Sequence, residues 1–207
     1  MITGRCTIIS SKNEMTKSDL IETILLIINK ILDYTSTLNQ ITPTLFDKDI
    51  LSQENENDGS ASTGQSSGDD NGGEFIKDKD NKEDKYTLTD YFYYWAKKLE
   101  FNENMLILTI MNIDKLLSKE FILTESNVKN VLFTSMVLTQ KYCEDENFND
   151  KDYSKIIGMS TNELIKMQIE FLSLVDFSLH VTDEKFAKYK HNLEDMWRKT
   201  LSIFSFT

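Results

Sequence analysis

The sequence predicts an all-α fold, and three observations carry that reading. One proline, Pro43, and seven glycines are all that interrupt 207 residues, so long windows are free of helix breakers. Within those windows apolar residues recur at three- and four-residue spacing. No stretch alternates convincingly as a strand. A chain of this length allows one domain of ordinary size with extra segments.

The first helix is expected at about 17–36. Thr16 and Ser18 are its cap candidates, and Leu20, Ile24, Ile27, Ile28, Ile31 and Leu32 form its apolar stripe. A helix this apolar needs a body to dock on. From Tyr86 onward the chain reads as consecutive helices with short joints. One spans about 88–99 ("LTDYFYYWAKKL"). A second spans about 103–118, with Met105, Leu106, Ile110, Ile113 and Leu117 on its buried side. A third, about 125–143, contains "VLFTSMVL" and is apolar nearly all round, which predicts a central helix. A short fourth covers about 150–157. The fifth starts at Ser160-Thr-Asn-Glu163, a capping-box pattern, and runs to about Val175 over Leu164, Met167, Phe171 and Leu172. A further helix begins near 183, capped by Thr182 or Asp183.

Residues 47–85 stand apart. They hold 12 acidic and 5 basic side chains, so −7 of the chain's total of −11 lies there, and "SQENENDGSASTGQSSGDDNGG" has one apolar residue, Ala61. Such a segment cannot bury enough apolar surface to offset its ordering entropy, so a disordered acidic insertion is expected. The net charge argues against nucleic acid or an anionic membrane surface as partner. "IETILLIINKIL" is too short and too punctuated by polar residues to span a bilayer. Two cysteines, Cys6 and Cys143, make no disulfide framework, which fits a reducing compartment, nucleus or cytoplasm.

The motifs that would carry catalysis fail one by one. The acidic run after Cys143 invites a calcium loop, but counting from Asp145 puts Asp150 where glycine is required and Ile156 where a bidentate glutamate is required. Cys143 has no second cysteine or histidine at zinc-ligand spacing. "GQSSG" matches a nucleophile elbow formally, yet it lies in low-complexity sequence with no strand before it. His180 and His191 have no nucleophile at a recognisable spacing. What remains odd is polarity on faces that should be apolar: Gln168 on the stripe of the fifth helix, and Lys141 at the end of the central one. Singly, each has a plain structural reading, since a lysine in a last turn complements the helix dipole and a glutamine can reach an edge. Together they suggest polar groups flanking an apolar groove that would take a partner helix.

The blocks of this sequence, in order, resemble a known family. "NIDKLL" (112–117) is similar to a Tyr-Ile-Asp-Arg-Leu block, "SNVKNVLFTS" (126–135) to Asn-x-His-Arg-Leu-Leu-x-Thr-Ser, and "FLSLVDFSLHV" (171–181) to Phe-Leu-x-Leu-Leu-Asp-Phe-x-Leu-x-Val. Between them, Lys141-Tyr142, Glu144-Asp145, Asn149-Asp150, Tyr153 and Gly158-Met159-Ser160 fill, without a gap, the places of Lys-Phe, an acidic pair, Asn-Asn, Tyr and Gly-x-Ser. The family is the P-type cyclins, the Pho80-like proteins of fungi and protists and the U-type cyclins of plants. The resemblance covers about residues 86–190.

The resemblance implies a five-helix cyclin box at 86–181 around a central helix. The flanking parts are then a tail at 1–16, an N-terminal docking helix with connector at 17–46, the insertion at 47–85 and a C-terminal helical extension at 182–207. It implies a regulatory subunit, not itself an enzyme, that binds and activates a cyclin-dependent serine/threonine kinase in cell-cycle or signalling control. No cofactor, metal, nucleic acid or membrane is implied. Carried over by position, the docking site falls on Leu138, Lys141, Tyr142, Gln168, Leu172 and Leu179. Gln168 departs from the family, which has a glutamate there. An acceptor remains but its charge is lost, and a carboxylate restored at 168 is expected to tighten docking or leave it unchanged. A cyclin-fold scaffold or transcription-associated adaptor without a kinase is the alternative that this departure favours, and a small all-α enzyme using the carboxylates of 144–152 stands third. On this reading the acidic cluster is a solvated turn beside the kinase-facing end.

Overall fold

The computed structural model describes residues 14–37, 46 and 86–204, and these form an all-α bundle. The helices are α1 (Lys17–Thr35), α2 (Leu88–Lys98), α3 (Glu103–Leu117), α4 (Val128–Cys143), α5 (Asp150–Ile157), α6 (Thr161–Leu174) and α7 (Asp183–Phe204). The expected insertion at 47–85 lies outside the described residues, as does most of the tail at 1–16.

Local sequence sets the helix starts. Thr16 caps α1 by a reciprocal pair of bonds with Asp19, Thr87 does the same for α2 with Asp90, and Ser160 does so for α6 with Glu163. Ser18, the other cap candidate, instead shares a hydrogen bond of 2.9 Å with the Tyr93 hydroxyl and so ties α1 to α2. The central helix starts at Val128 rather than 125. Thr124 and Asn127 exchange side-chain bonds with each other's backbone N–H, and the turn they close delays the regular helix. α5 ends at Gly158, whose φ of +83° is the left-handed value that a helix stop requires and that glycine alone adopts without strain.

α4 is the centre, as its nearly all-round apolar sequence predicts. Every residue from Asn130 to Gln140 is buried. α3 and α6 pack along it, α5 packs on α6, and α1 lies across α2 and α3. α7 closes the other side against α1 and α3 with Leu193 and Trp197 buried. Tyr189 of α7 donates to Asp114 of α3 at 2.5 Å, and burial then pushes both groups' titration upward. The five-helix box of the sequence reading is therefore α2 to α6, flanked by an N-terminal docking helix and a C-terminal extension.

Phe46 sits in this core, fully enclosed, with its ring edge-on to Phe121 and to Phe171. Its carbonyl accepts from the Asn130 side-chain amide at 2.7 Å. Phe46 is thus pinned to the central helix. Removing a buried phenylalanine loses its transfer energy and leaves a cavity, so Phe46→Ala is expected to cost about 3–5 kcal/mol. Tyr34→Ala, at a residue 69% exposed, should stay within about 0.5 kcal/mol of wild type. Urea unfolding of the two variants checks the contrast.

A second expectation concerns alkaline pH. Burial and the Asp150 charge push Tyr153 up to about 12, against an ordinary 10.0. The folded pKa is the higher one, so the stabilisation is fully present below about pH 10 and is lost as pH rises through 12. Tyr153→Phe removes the bond from its hydroxyl to Gln140 Oε1, costing about 1 kcal/mol at neutral pH. The gap from wild type should shrink above pH 10 in thermal melts; a constant gap would contradict it.

Candidate functional site

The last turn of α4 carries the site to the surface. Leu138, Lys141 and Tyr142 stand at i, i+3 and i+4, hence on one face. Exposure rises along it: Leu138 is 5% exposed, Lys141 is half-buried, and Tyr142 is 52% exposed. Across from it, Gln168 and Leu172 share a face of α6 at i and i+4. Gln168 is buried, while Leu172 is half-buried and packs on the core. The two faces meet directly, because Lys141 Nζ donates to Gln168 Oε1 at 2.8 Å. The polar pair that the sequence suggested would flank a groove is in contact.

Asp150 makes it a cluster of three. Lys141 Nζ also donates to Asp150 Oδ1 at 2.5 Å, and Gln168 Nε2 donates to the same oxygen at 2.9 Å. A further bond runs from Gln168 Nε2 to the Leu164 carbonyl at 3.3 Å. Only one orientation of the amide serves both neighbours, since the reverse would aim its N–H groups at an ammonium and its oxygen at a carboxylate. Burial works to raise the Asp150 carboxyl, but the bonds from Lys141 and Gln168 and the lysine charge outweigh it and hold it below the usual carboxylate range. The edge therefore keeps a negative charge. The carboxylate expected at 168 stands at 150, where the family pattern has asparagine.

Leu179 reaches the site through a tight turn after α6. Asp176 and Phe177 both take left-handed backbone, with φ of +54° each, and Phe177 N–H closes on the Leu172 carbonyl at 2.7 Å. Lys119 pairs with Asp176 at 2.5 Å. Lys115 of α3 donates to the carbonyls of Ser178 and His180, both at 3.0 Å. Leu179 is thereby held half-buried against the core, and His180 Nδ1 lies 3.3 Å from the Tyr142 hydroxyl.

Sequence reasoning missed Asp150, which it counted within an acidic run, and it missed the isoleucines of α6. Ile165 and Ile169 are 37% and 57% exposed and extend outward from Gln168 and Leu172. The available signal was two isoleucines on a face that the buried stripe leaves to water. The acidic run itself divides in two. Glu144, Asp145 and Glu146 are exposed, with the Asn147 side chain closing on the Glu144 carbonyl, and Asp150 turns inward to Lys141. Among the described residues no three His, Cys, Asp or Glu side chains cluster to hold a metal ion, and no helix is long and apolar enough to cross a membrane.

Comparison with known proteins adds sequence similarity to this geometry. The chain is 36% identical over 74 residues to Cyclin-U2-2 of Arabidopsis thaliana, covering 36% of this chain and 32% of that protein. It is 31% identical over 77 residues to PHO85 cyclin-7 of Saccharomyces cerevisiae, covering 37% and 27%. With Cyclin-U4-2 of Arabidopsis thaliana the figures are 26% over 110 residues, 52% and 51%. The chain thus spans about a third of the length of the first two relatives and half of the last. The family model described as Cyclin matches residues 6–179, a span that takes in α1 as well as the five box helices. With an enclosed central helix, five box helices in order and that match over most of its length, the chain belongs to the cyclin family.

Proposed function

We propose that the protein is a P-type cyclin, the regulatory subunit of a cyclin-dependent serine/threonine kinase, docking it on the α4–α6 face. The observation that carries this reading is the cluster at the end of α4: an ammonium and a carboxylate locked together through Gln168, with Tyr142 next to the lysine in the chain and Leu172 one turn beyond Gln168. Such a surface offers a helix both apolar contact and polar partners for its unsatisfied end groups. Ile165 and Ile169 widen the apolar side. Bound there, the cyclin would hold the kinase's mobile helix inward, so that the kinase lysine and glutamate pair to position phosphate. The names of the relatives, cyclins of the U type and a PHO85 cyclin, support the assignment. A kinase-independent scaffold was favoured by the loss of charge at Gln168, and Asp150 removes much of that argument. Nuclear or cytoplasmic residence goes with the kinase reading.

The test is affinity purification of the full chain from its native cell, with a kinase catalytic subunit expected at stoichiometric yield. Leu172→Glu should abolish recovery while the circular-dichroism spectrum keeps its helical content, because Leu172 is only half-buried. Lys141→Glu should weaken binding by about tenfold or more, since it replaces a charged donor with a carboxylate. Undiminished recovery with Leu172→Glu would place docking elsewhere.

A further inference from the structure

We infer that Asp150 is the positioning residue of the docking edge: it fixes the Lys141 ammonium and presents the acceptor that a kinase main chain meets there. The inference rests on the kinase reading above. An ammonium has three N–H donors, and Lys141 spends two of them, on Asp150 Oδ1 and Gln168 Oε1. Asp150 takes both of its bonds on Oδ1, so Oδ2 receives none from the described residues. The side chains are 31% and 32% exposed, so neither is sealed off. One unspent donor therefore stands beside one unspent acceptor at the rim of an apolar face. A peptide chain offers the complement, a carbonyl and an N–H, and helix ends leave such groups without internal partners.

The role of Gln168 follows from the same bonds. Its amide is the bridge, accepting from the lysine and donating to the aspartate. A glutamate at 168 would have no N–H to give and would set two carboxylates against one ammonium. Gln168→Glu is therefore expected to loosen docking, contrary to what the family pattern alone suggests. Moving the charge at both positions should repair the damage, because an amide at 150 can then donate to a carboxylate at 168 with Lys141 still held by both.

The experiment is a double-mutant cycle of Asp150→Asn, Gln168→Glu and the two together. Dissociation constants are measured by calorimetry against the kinase catalytic subunit recovered with the wild type, and thermal midpoints are recorded in parallel. Each single variant should weaken binding by about tenfold, the loss expected when a charge-assisted bond becomes a neutral one or meets a like charge. The double variant should return to within about threefold of wild type. Affinity that falls in the single variants and returns in the swap while the thermal midpoints stay unchanged is what a merely structural aspartate would not produce. Wild-type affinity in Asp150→Asn, or a double variant as weak as the two singles combined, would overturn the inference and leave the kinase reading standing. If the wild type itself captures no kinase, the kinase reading fails, and the docking role of Asp150 goes with it.

Discussion

Because α4 is enclosed from Asn130 to Gln140, each polar side chain in that stretch must find a partner inside the protein, and those partners belong to the surrounding elements. Asn130 donates to the Phe46 carbonyl, Ser135 to the Thr109 carbonyl of α3, and Gln140 to the Leu99 carbonyl after α2. Thr139 accepts from Asn112 of α3, and Gln140 accepts from Tyr153 of α5. One such bond contributes about 0.5–1.5 kcal/mol net, while leaving a buried group unpaired costs about 1–3. Slipping α3 along α4 by a residue would trade two of these gains for penalties, and slipping α5 would trade one. The apolar contacts make the bundle compact, and the polar groups set its register.

The candidate site is the last rung of that ladder. Immediately after Thr139 and Gln140 the helix reaches the surface, and its next polar group, Lys141, bonds outward to α5 and α6 as the preceding ones bond inward. Tyr153 lies between the two regimes. Its hydroxyl serves Gln140 in the core, and its ring sits 5.7 Å from the Lys141 ammonium. The candidate residues on α4 and α6 are therefore placed by the core register, and Leu179 alone comes from a turn. A site built this way is pre-organised, so a partner would meet it with little ordering entropy left to lose.

The helices were legible because periodicity and capping are local properties. Ser160 with Glu163, the Gly158 stop and the unbroken apolar run of α4 all act within a few residues of themselves. Phe46 was not legible in the same way. It follows Leu45 in a short stretch with no helical stripe around it, and only the tertiary structure shows it packed between Phe121 and Phe171. Lys141 and Gln168 were singled out by polarity on an apolar face, but their contact depends on α4 and α6 lying side by side. Asp150 was hidden differently, since one carboxylate in an acidic run looks like any other until a lysine nine residues back is seen to point at it. Charge at a site belongs to the cluster and not to one position, so reading position 168 alone removed a charge that the fold retains.

The turn after α6 shows what the structure spends on bringing Leu179 back to this face. Two successive non-glycine residues in left-handed backbone cost about 1–3 kcal/mol each. Aspartate tolerates that conformation because its short side chain can bond locally; Phe177 has no such help and is 69% exposed, so burial of its ring offsets little. The offset comes from elsewhere. Lys115 is partly buried, its ammonium held below the usual lysine range by that burial and by the nearby Lys185, and it still takes both carbonyls of the turn. Bonds from a charged donor are worth about 1.5–3 kcal/mol each, which matches the strain in scale. The exposed Lys119–Asp176 pair adds at most about 1. A strained turn tied down by a half-buried lysine sets the chain direction at residues 178–180, and that direction lays Leu179 against the core with His180 beside Tyr142.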